Sequence, residues 1–116
     1  MAKPTDLLQG TLDLLILKTI ALQPMHGWGI AQRIRQVSKD VLQVHQGALY
    51  PALHRLEQAG LLASRWVTAE SGRRRRVYAL TRRGERALAG HRAVWQQFSG
   101  AIGALLAGTP PARKPA

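Results

Sequence analysis

Two stretches hold the residues with chemistry to offer. Residues 45–62 read His-Gln-Gly-Ala-Leu-Tyr-Pro-Ala-Leu-His-Arg-Leu-Glu-Gln-Ala-Gly-Leu-Leu, and residues 73–76 are four consecutive arginines. In the first, Leu49, Leu53 and Leu56 recur at spacings of four and three, the stripe of a helix. Gly60 stands where a helix C-terminus favours positive φ. The remaining face offers Gly47, Ala48, Tyr50, Pro51, His54, Arg55 and Gln58. Small or flat residues lead and donors follow, with Glu57 the one acid nearby. Such a face suits close approach to nucleic acid, with donors for base edges or phosphates. An ordinary amphipathic helix also explains the leucines, so the surroundings have to decide. For Arg73, Arg74, Arg75 and Arg76, a phosphate or minor-groove contact competes with a merely solvated edge.

Catalysis has no comparable footing. His26, His45, His54 and His91 are scattered without metal-ligand spacing, six acids leave few pairs, and cysteine is absent. No phosphate-binding glycine loop or nucleophile motif occurs. The expectation is a protein that is not an enzyme and holds no metal or cofactor. Its charge points elsewhere. Seventeen Lys and Arg stand against six Asp and Glu, a net charge of +11 and a pI near 11.7. That imbalance implies a polyanionic partner, nucleic acid first and an anionic membrane surface second. The apolar run Leu12–Leu22 is broken by Asp13, Lys18 and Thr19 and falls short of the ~20 residues that span a bilayer. No signal-peptide pattern opens the chain. A soluble, cytoplasmic protein without membrane insertion is expected.

The elements that must position these residues read as follows. A helix from about Thr11 to Leu22 is apolar on two faces, Leu12, Leu15, Ile16, Thr19 and Ile20 on one and Leu14, Leu17 and Ala21 on the other. Burying both would require a second covering surface, and in a chain of 116 residues another subunit is expected to supply it. Gly27–Val37 forms a second helix on Ile30, Ile34 and Val37. Lys39-Asp40 turn, and Val41–Val44 suits a very short extended segment. The donor-rich helix comes third, completing a helix-turn-helix core. Leu61–Thr68 and Arg73–Leu80 are β-favouring runs around Ala69-Glu70-Ser71-Gly72, a hairpin with the arginines just past its tip. Thr81 caps a last helix from Arg82 to about Leu106. Its seam of Leu88, His91, Trp95, Phe98, Ile102 and Leu105 alternates spacings of three and four, a heptad pattern. At roughly 37 Å the helix outruns so small a core and calls for a partner, most simply its own copy. Gly90, Gly100 and Gly103 each cost it up to ~1 kcal/mol against alanine, which packing must offset. The fold class is therefore mainly α with a small β-hairpin. A winged helix-turn-helix over residues 8–81 precedes a dimerisation helix over 82–107, between flexible tails at 1–7 and 108–116.

The residues carry the likeness further than the plan. Gly47-Ala48-Leu49-Tyr50-Pro51-Ala52-Leu53-His54-Arg55-Leu56-Glu57 with Gly60-Leu61-Leu62 closely resembles the recognition-helix signature of the PadR family of bacterial transcriptional regulators. Gly72-Arg73-Arg74-Arg75, Tyr78-Ala79-Leu80-Thr81, Gly84 and Ala87-Leu88 resemble its wing and wing-to-helix junction. Gly10-Thr11-Leu12, Ile16-Leu17 and His26-Gly27-Trp28-Gly29-Ile30 look like its first two helices. The likeness spans about residues 8–98. It implies a homodimeric DNA-binding repressor, usually released by a small molecule, of the short kind that ends in a single long helix. Ala48 departs from the threonine of many members and would lack that hydroxyl's phosphate contact. His45 and Gln46 are weaker caps than usual.

On this reading Tyr50, His54 and Arg55 reach the major groove or its phosphates. Arg55 is the best candidate for guanine, and Gly47 and Ala48 permit close approach. Tyr50 packed against the wing is the competing role. Pro51 sets the path of the helix near the DNA backbone, and strand alternation would aim two of the four arginines at DNA. A dimer, held through Leu14, Leu17, Leu88, Trp95, Phe98, Ile102 and Leu105, would meet half-sites ~34 Å apart on double-stranded DNA, hence a pseudo-palindromic operator. At the nucleoid, binding would weaken steeply with salt. Trp95 matches a tryptophan that sandwiches planar ligands in related multidrug-sensing members, with His91 and Phe98 beside it. The alternative is that Trp95 only packs the dimer. The rival function is an effector-independent architectural or RNA-binding protein. A membrane-surface role is disfavoured because the basic cluster lies on a hairpin.

Overall fold

The computed structural model describes residues 9–108. The expected tail at residues 1–7 lies outside them, as does the expected tail at 108–116 apart from Gly108. Seven elements follow in order: α1 (Gln9–Leu22), β1 (Met25–His26), α2 (Gly27–Val37), α3 (Gln46–Gln58), β2 (Leu62–Thr68), β3 (Arg74–Leu80) and α4 (Arg82–Leu106). Helix α1 starts two residues before the expected Thr11, whereas α2 has the expected bounds. The strands form one antiparallel sheet in the order β1-β3-β2. Strand β1 was not foreseen; it pairs Met25 with Tyr78 and His26 with Val77. The hairpin register sets Leu62 against Leu80, Trp66 against Arg76 and Thr68 against Arg74.

The core forms where the apolar stripes meet. Ile16, Leu17 and Ile20 of α1, Ile30 and Ile34 of α2, and Leu49, Ala52, Leu53 and Leu56 of α3 close on Leu62 and Tyr78 of the sheet. Full burial of each leucine or isoleucine contributes about 1.5–3 kcal/mol, so the stripe of α3 fixes which face it leaves outward. Leu17 corrects an expectation. It is 0% exposed, because α1 is covered by α2, α3, α4 and β3 of its own chain. It is therefore a core residue with no surface for a partner, while Leu14 is half-buried. Thr19, also buried, donates its hydroxyl to the Leu15 carbonyl at 2.7 Å.

Residues 41–44 form no strand. Lys39 and Asp40 both take left-handed backbone, φ 53° and 66°, and the Leu42 N–H donates to the Ser38 hydroxyl at 2.9 Å. That tight turn is what separates α2 from α3. Gly60 ends α3 at φ 80°, where a side chain would strain the backbone. At the other end of the sheet, Thr81 caps α4 by accepting from the Gly84 N–H at 3.0 Å. Its hydroxyl donates to the Gly60 carbonyl at 2.7 Å, and its own N–H donates to Leu61 at 3.1 Å. A Cβ at Gly84 would overlap the Leu61 carbonyl and sit 2.7 Å from Leu80 Cδ1. Helix α4 is thus seated directly on the base of the wing. Beyond Leu88, which packs on the core, its apolar side chains run out into the open.

Candidate nucleic-acid interface

Helix α3 and the wing flank an open groove of about 590 Å³, lined by Gln46 and Tyr50 on one side and Trp66 and Arg73–Arg76 on the other, with His26, Gly27 and Trp28 between them. Gly47, Ala48, Pro51 and His54 lie exposed on α3. Nothing stands within 4 Å of the position a Gly47 Cβ would take, so the chain's own packing does not require glycine there. Pro51 is the sixth residue of α3 and has no N–H for the Gly47 carbonyl to accept. His45 stands at the N-cap of α3 but makes no side-chain cap bond.

Tyr50 is 45% exposed and rests on the start of α2. A Cβ at Gly27 would meet its ring at 2.8 Å, so glycine at 27 is what lets the tyrosine lie there. Arg55, the residue expected to read guanine, is held elsewhere. Its guanidinium donates to both carboxylate oxygens of Asp13 on α1, at 3.0 and 2.7 Å. This pair raises its pKa further, chiefly through the hydrogen bond.

All four arginines line the groove, but they take different partners. Arg74 and Arg76 lie over the Trp66 ring, 4.9 and 5.7 Å from its centroid. Arg76 also donates to the Ser64 hydroxyl at 2.8 Å and pairs with Glu57 at 3.4 Å. Arg75 turns instead to His26, its Nη1 2.8 Å from His26 Nε2. Arg73 belongs to the turn before β3 and is exposed. His26 is the N-cap of α2, Nδ1 accepting from the Gly29 N–H at 3.0 Å. Its ring stacks beside Trp28, centroids 6.2 Å apart. Burial first, and then the charge of Arg75, lower its pKa.

The expected dimer and effector residues form a separate group. His91 is half-buried, while Trp95 at 43%, Phe98 at 63%, Ile102 and Leu105 are exposed along α4. The structure therefore does not bring Trp95 to the groove. Among the described residues no cluster of His, Cys, Asp or Glu could hold a metal ion. No described helix is long and apolar enough to cross a membrane.

Four participants escaped the reading of the sequence: Asp13, His26, Trp28 and Trp66. The hairpin register could have given Trp66 from its place opposite Arg76. An N-cap search that admitted histidine could have given His26. Asp13 lies 42 positions from Arg55 and left no local signal.

Known proteins match along nearly the whole described chain. A sequence model of the transcriptional regulator PadR-like family covers residues 16–90. A transcriptional regulator of Mycobacterium tuberculosis is 38% identical over 84 residues, 72% of this chain and 75% of that one. A PadR family transcriptional regulator from Eggerthella lenta superposes with a TM-score of 0.75 at 31% identity, over 90% of this chain and 88% of that one. A transcriptional regulator from Clostridium thermocellum gives 0.77 at 26% identity, over 84% and 95%. Members of the PadR-like family are DNA-binding regulators of transcription and not enzymes. With the three-helix core, the arginine wing and the long last helix in place, this chain belongs to the PadR-like family of transcriptional regulators.

Proposed function

We propose that the chain is a repressor that binds a pseudo-palindromic operator as a homodimer, in the cytoplasm and at the nucleoid when bound. The observation that carries this reading is the shared groove, where Tyr50 and Gln46 of the reading helix face Arg73–Arg76 of the wing. Gly47, Ala48, Pro51 and His54 form the approach surface of α3. Tyr50 and His54 are its candidate readers, and Arg73, Arg74 and Arg75 take phosphates or the minor groove. Arg55 and Arg76, engaged by Asp13 and Glu57, brace α3 against α1 and the wing.

Trp95, Phe98, Ile102 and Leu105 form the seam between copies, joined at its edge by Leu14 and by Leu88, which also packs on the chain's own core. Exposed residues of this size repeating at heptad spacing gain most from a matching helix. A planar effector between the two Trp95 rings would change the angle between reading helices. The competing reading leaves Trp95 as packing alone.

Selection from a random duplex pool tests the main claim. Two half-sites about one turn apart, ~34 Å, are expected. Absence of any enriched motif favours an architectural or RNA-binding protein. In a gel shift, Arg74→Ala/Arg75→Ala removes four cationic side chains per dimer, so the salt slope should fall by up to ~3.6. Unchanged affinity and slope would sink the wing's part. For the effector, quenching of tryptophan fluorescence by planar cationic or phenolic compounds should disappear in Trp95→Ala while dimers persist. Quenching that survives the substitution removes Trp95 from that role.

A further inference from the structure

His26 makes two contacts that a neutral imidazole cannot satisfy together. Nδ1 accepts the Gly29 N–H that it caps, at 3.0 Å. A neutral ring carries one N–H, so this acceptance puts the proton on Nε2. Nε2 lies 2.8 Å from Arg75 Nη1, and a guanidinium is a donor with no acceptor capacity. Two donors therefore face each other. The opposite tautomer only moves the conflict to the Gly29 N–H. The imidazolium is worse, because it donates from both nitrogens and adds a charge beside Arg75. Every protonation state leaves this corner short of at least one acceptor.

We propose that His26 and Arg75 form a clamp for a phosphodiester oxygen of the DNA backbone, which accepts from His26 Nε2–H and from the Arg75 guanidinium at once. The clamp rests on the DNA-binding reading of the groove and extends it to the first turn of α2. Three observations favour a backbone phosphate as the acceptor. Among the described residues Arg75 has no acidic partner, whereas Arg55 and Arg76 have Asp13 and Glu57. His26 and Arg75 open into the groove that also holds Tyr50 and Gln46 of the reading helix. The pair sits at the N-terminus of the eleven-residue helix α2, whose dipole adds partial positive charge. Water could accept both protons, but an anion also balances the Arg75 charge. Only a polyanion presents such a group in register with α3.

The test uses full-length protein labelled with ¹⁵N in its histidine rings, free and bound to the duplex recovered by selection. His26 should be the Nε2–H tautomer in both states, and its Nε2–H proton should move downfield when duplex binds. Salt-dependent binding supplies the second arm. Asparagine at 26 keeps an acceptor for the Gly29 N–H and drops the far donor, so His26→Asn should bind several-fold more weakly while remaining folded. Arg75→Gln should lower the salt slope by about 1.8 for the dimer, one ionic contact per half-site. The two losses should be less than multiplicative when combined. A ring unmoved by duplex, a ring that answers only to inorganic phosphate, or losses that multiply would overturn the clamp. If the wild type still retains duplex in those cases, the regulator reading stands. A wild type that retains none overturns both.

Discussion

Arg55→Gln distinguishes a residue that reads DNA from one that holds α3 in place. The guanidinium makes two bonds to Asp13, 3.0 and 2.7 Å, tying α3 to α1 across 42 positions of sequence. The Asp13 side chain is 14% exposed, so removing its partner strands a mostly covered carboxylate. Hydrogen bonds to a charged group contribute about 1.5–3 kcal/mol, and the half-exposed guanidinium discounts that. A loss of about 1–2 kcal/mol is expected, visible as a lower urea midpoint. Against a domain stability of about 5–15 kcal/mol the variant remains almost wholly folded. Its operator affinity and salt slope, followed by anisotropy of a labelled duplex between low and moderate salt, should therefore match the wild type. Asp13→Asn should also lower the midpoint, yet free the guanidinium and raise the slope by up to ~1.8 if it then meets a phosphate. The reverse pattern, a slope lowered by ~1.8 in Arg55→Gln with an unmoved midpoint, would falsify the brace and restore Arg55 as a reader.

Other perturbations test other joints. Gly84→Ala forces α4 away from Leu61 and disturbs the Thr81 cap and its bond to Leu61. A loss of about 2–4 kcal/mol in urea unfolding is expected, and an unchanged midpoint would contradict that close approach. Phe98→Asp puts a charge on the exposed seam and should give monomers in sedimentation with unchanged helix content; persisting dimers would place the interface elsewhere. Trp66→Ala removes the ring beneath Arg74 and Arg76. Each such contact contributes about 0.5–1 kcal/mol at an exposed site, so operator binding should weaken several-fold at constant salt slope. His26 gives a pH dependence. Its folded pKa lies below the ordinary 6.5, so between the two values the unfolded chain binds the proton first. Stability should therefore fall as pH drops from about 6.5 through the lower folded value. His26→Asn should flatten that part of a stability-against-pH curve, and an equal slope in both proteins would acquit His26.

What could be read in advance was whatever local spacing encodes. The leucines of α3, Gly60, the hairpin, the Thr81 cap and the extent of α4 all express short-range rules, and each stands in the structure. What escaped depends on distant partners. Strand β1 has two residues, too few for any periodicity, and exists because β3 passes beside it. Leu17 looked like a surface residue because two apolar faces on one helix suggested a second subunit. The rest of the chain wraps α1 closely enough to cover it. In the groove, sequence supplied the donors but not their engagements. It could not show that Asp13 holds Arg55, that Glu57 and Ser64 hold Arg76, or that His26 turns its far nitrogen toward Arg75.

The seating of α4 on the wing has a consequence for phase. Thr81 and Gly84 leave no slack between the sheet and the first turn of α4, and the helix then runs unbroken for 25 residues. Each residue of an α-helix advances about 100° in azimuth and ~1.5 Å along its axis. Rotation at the seam is therefore carried to the wing as by a shaft. One residue inserted between Leu88 and His91 would turn the seam by about 100° relative to α3 and, in the proposed dimer, mis-set the paired half-sites. Seven inserted residues would come within ~20° of the original azimuth and lengthen the shaft by roughly 10 Å. In the proposed dimer, the half-site spacing of the operator would thus be set as an angle in α4 before it appeared as a distance on DNA.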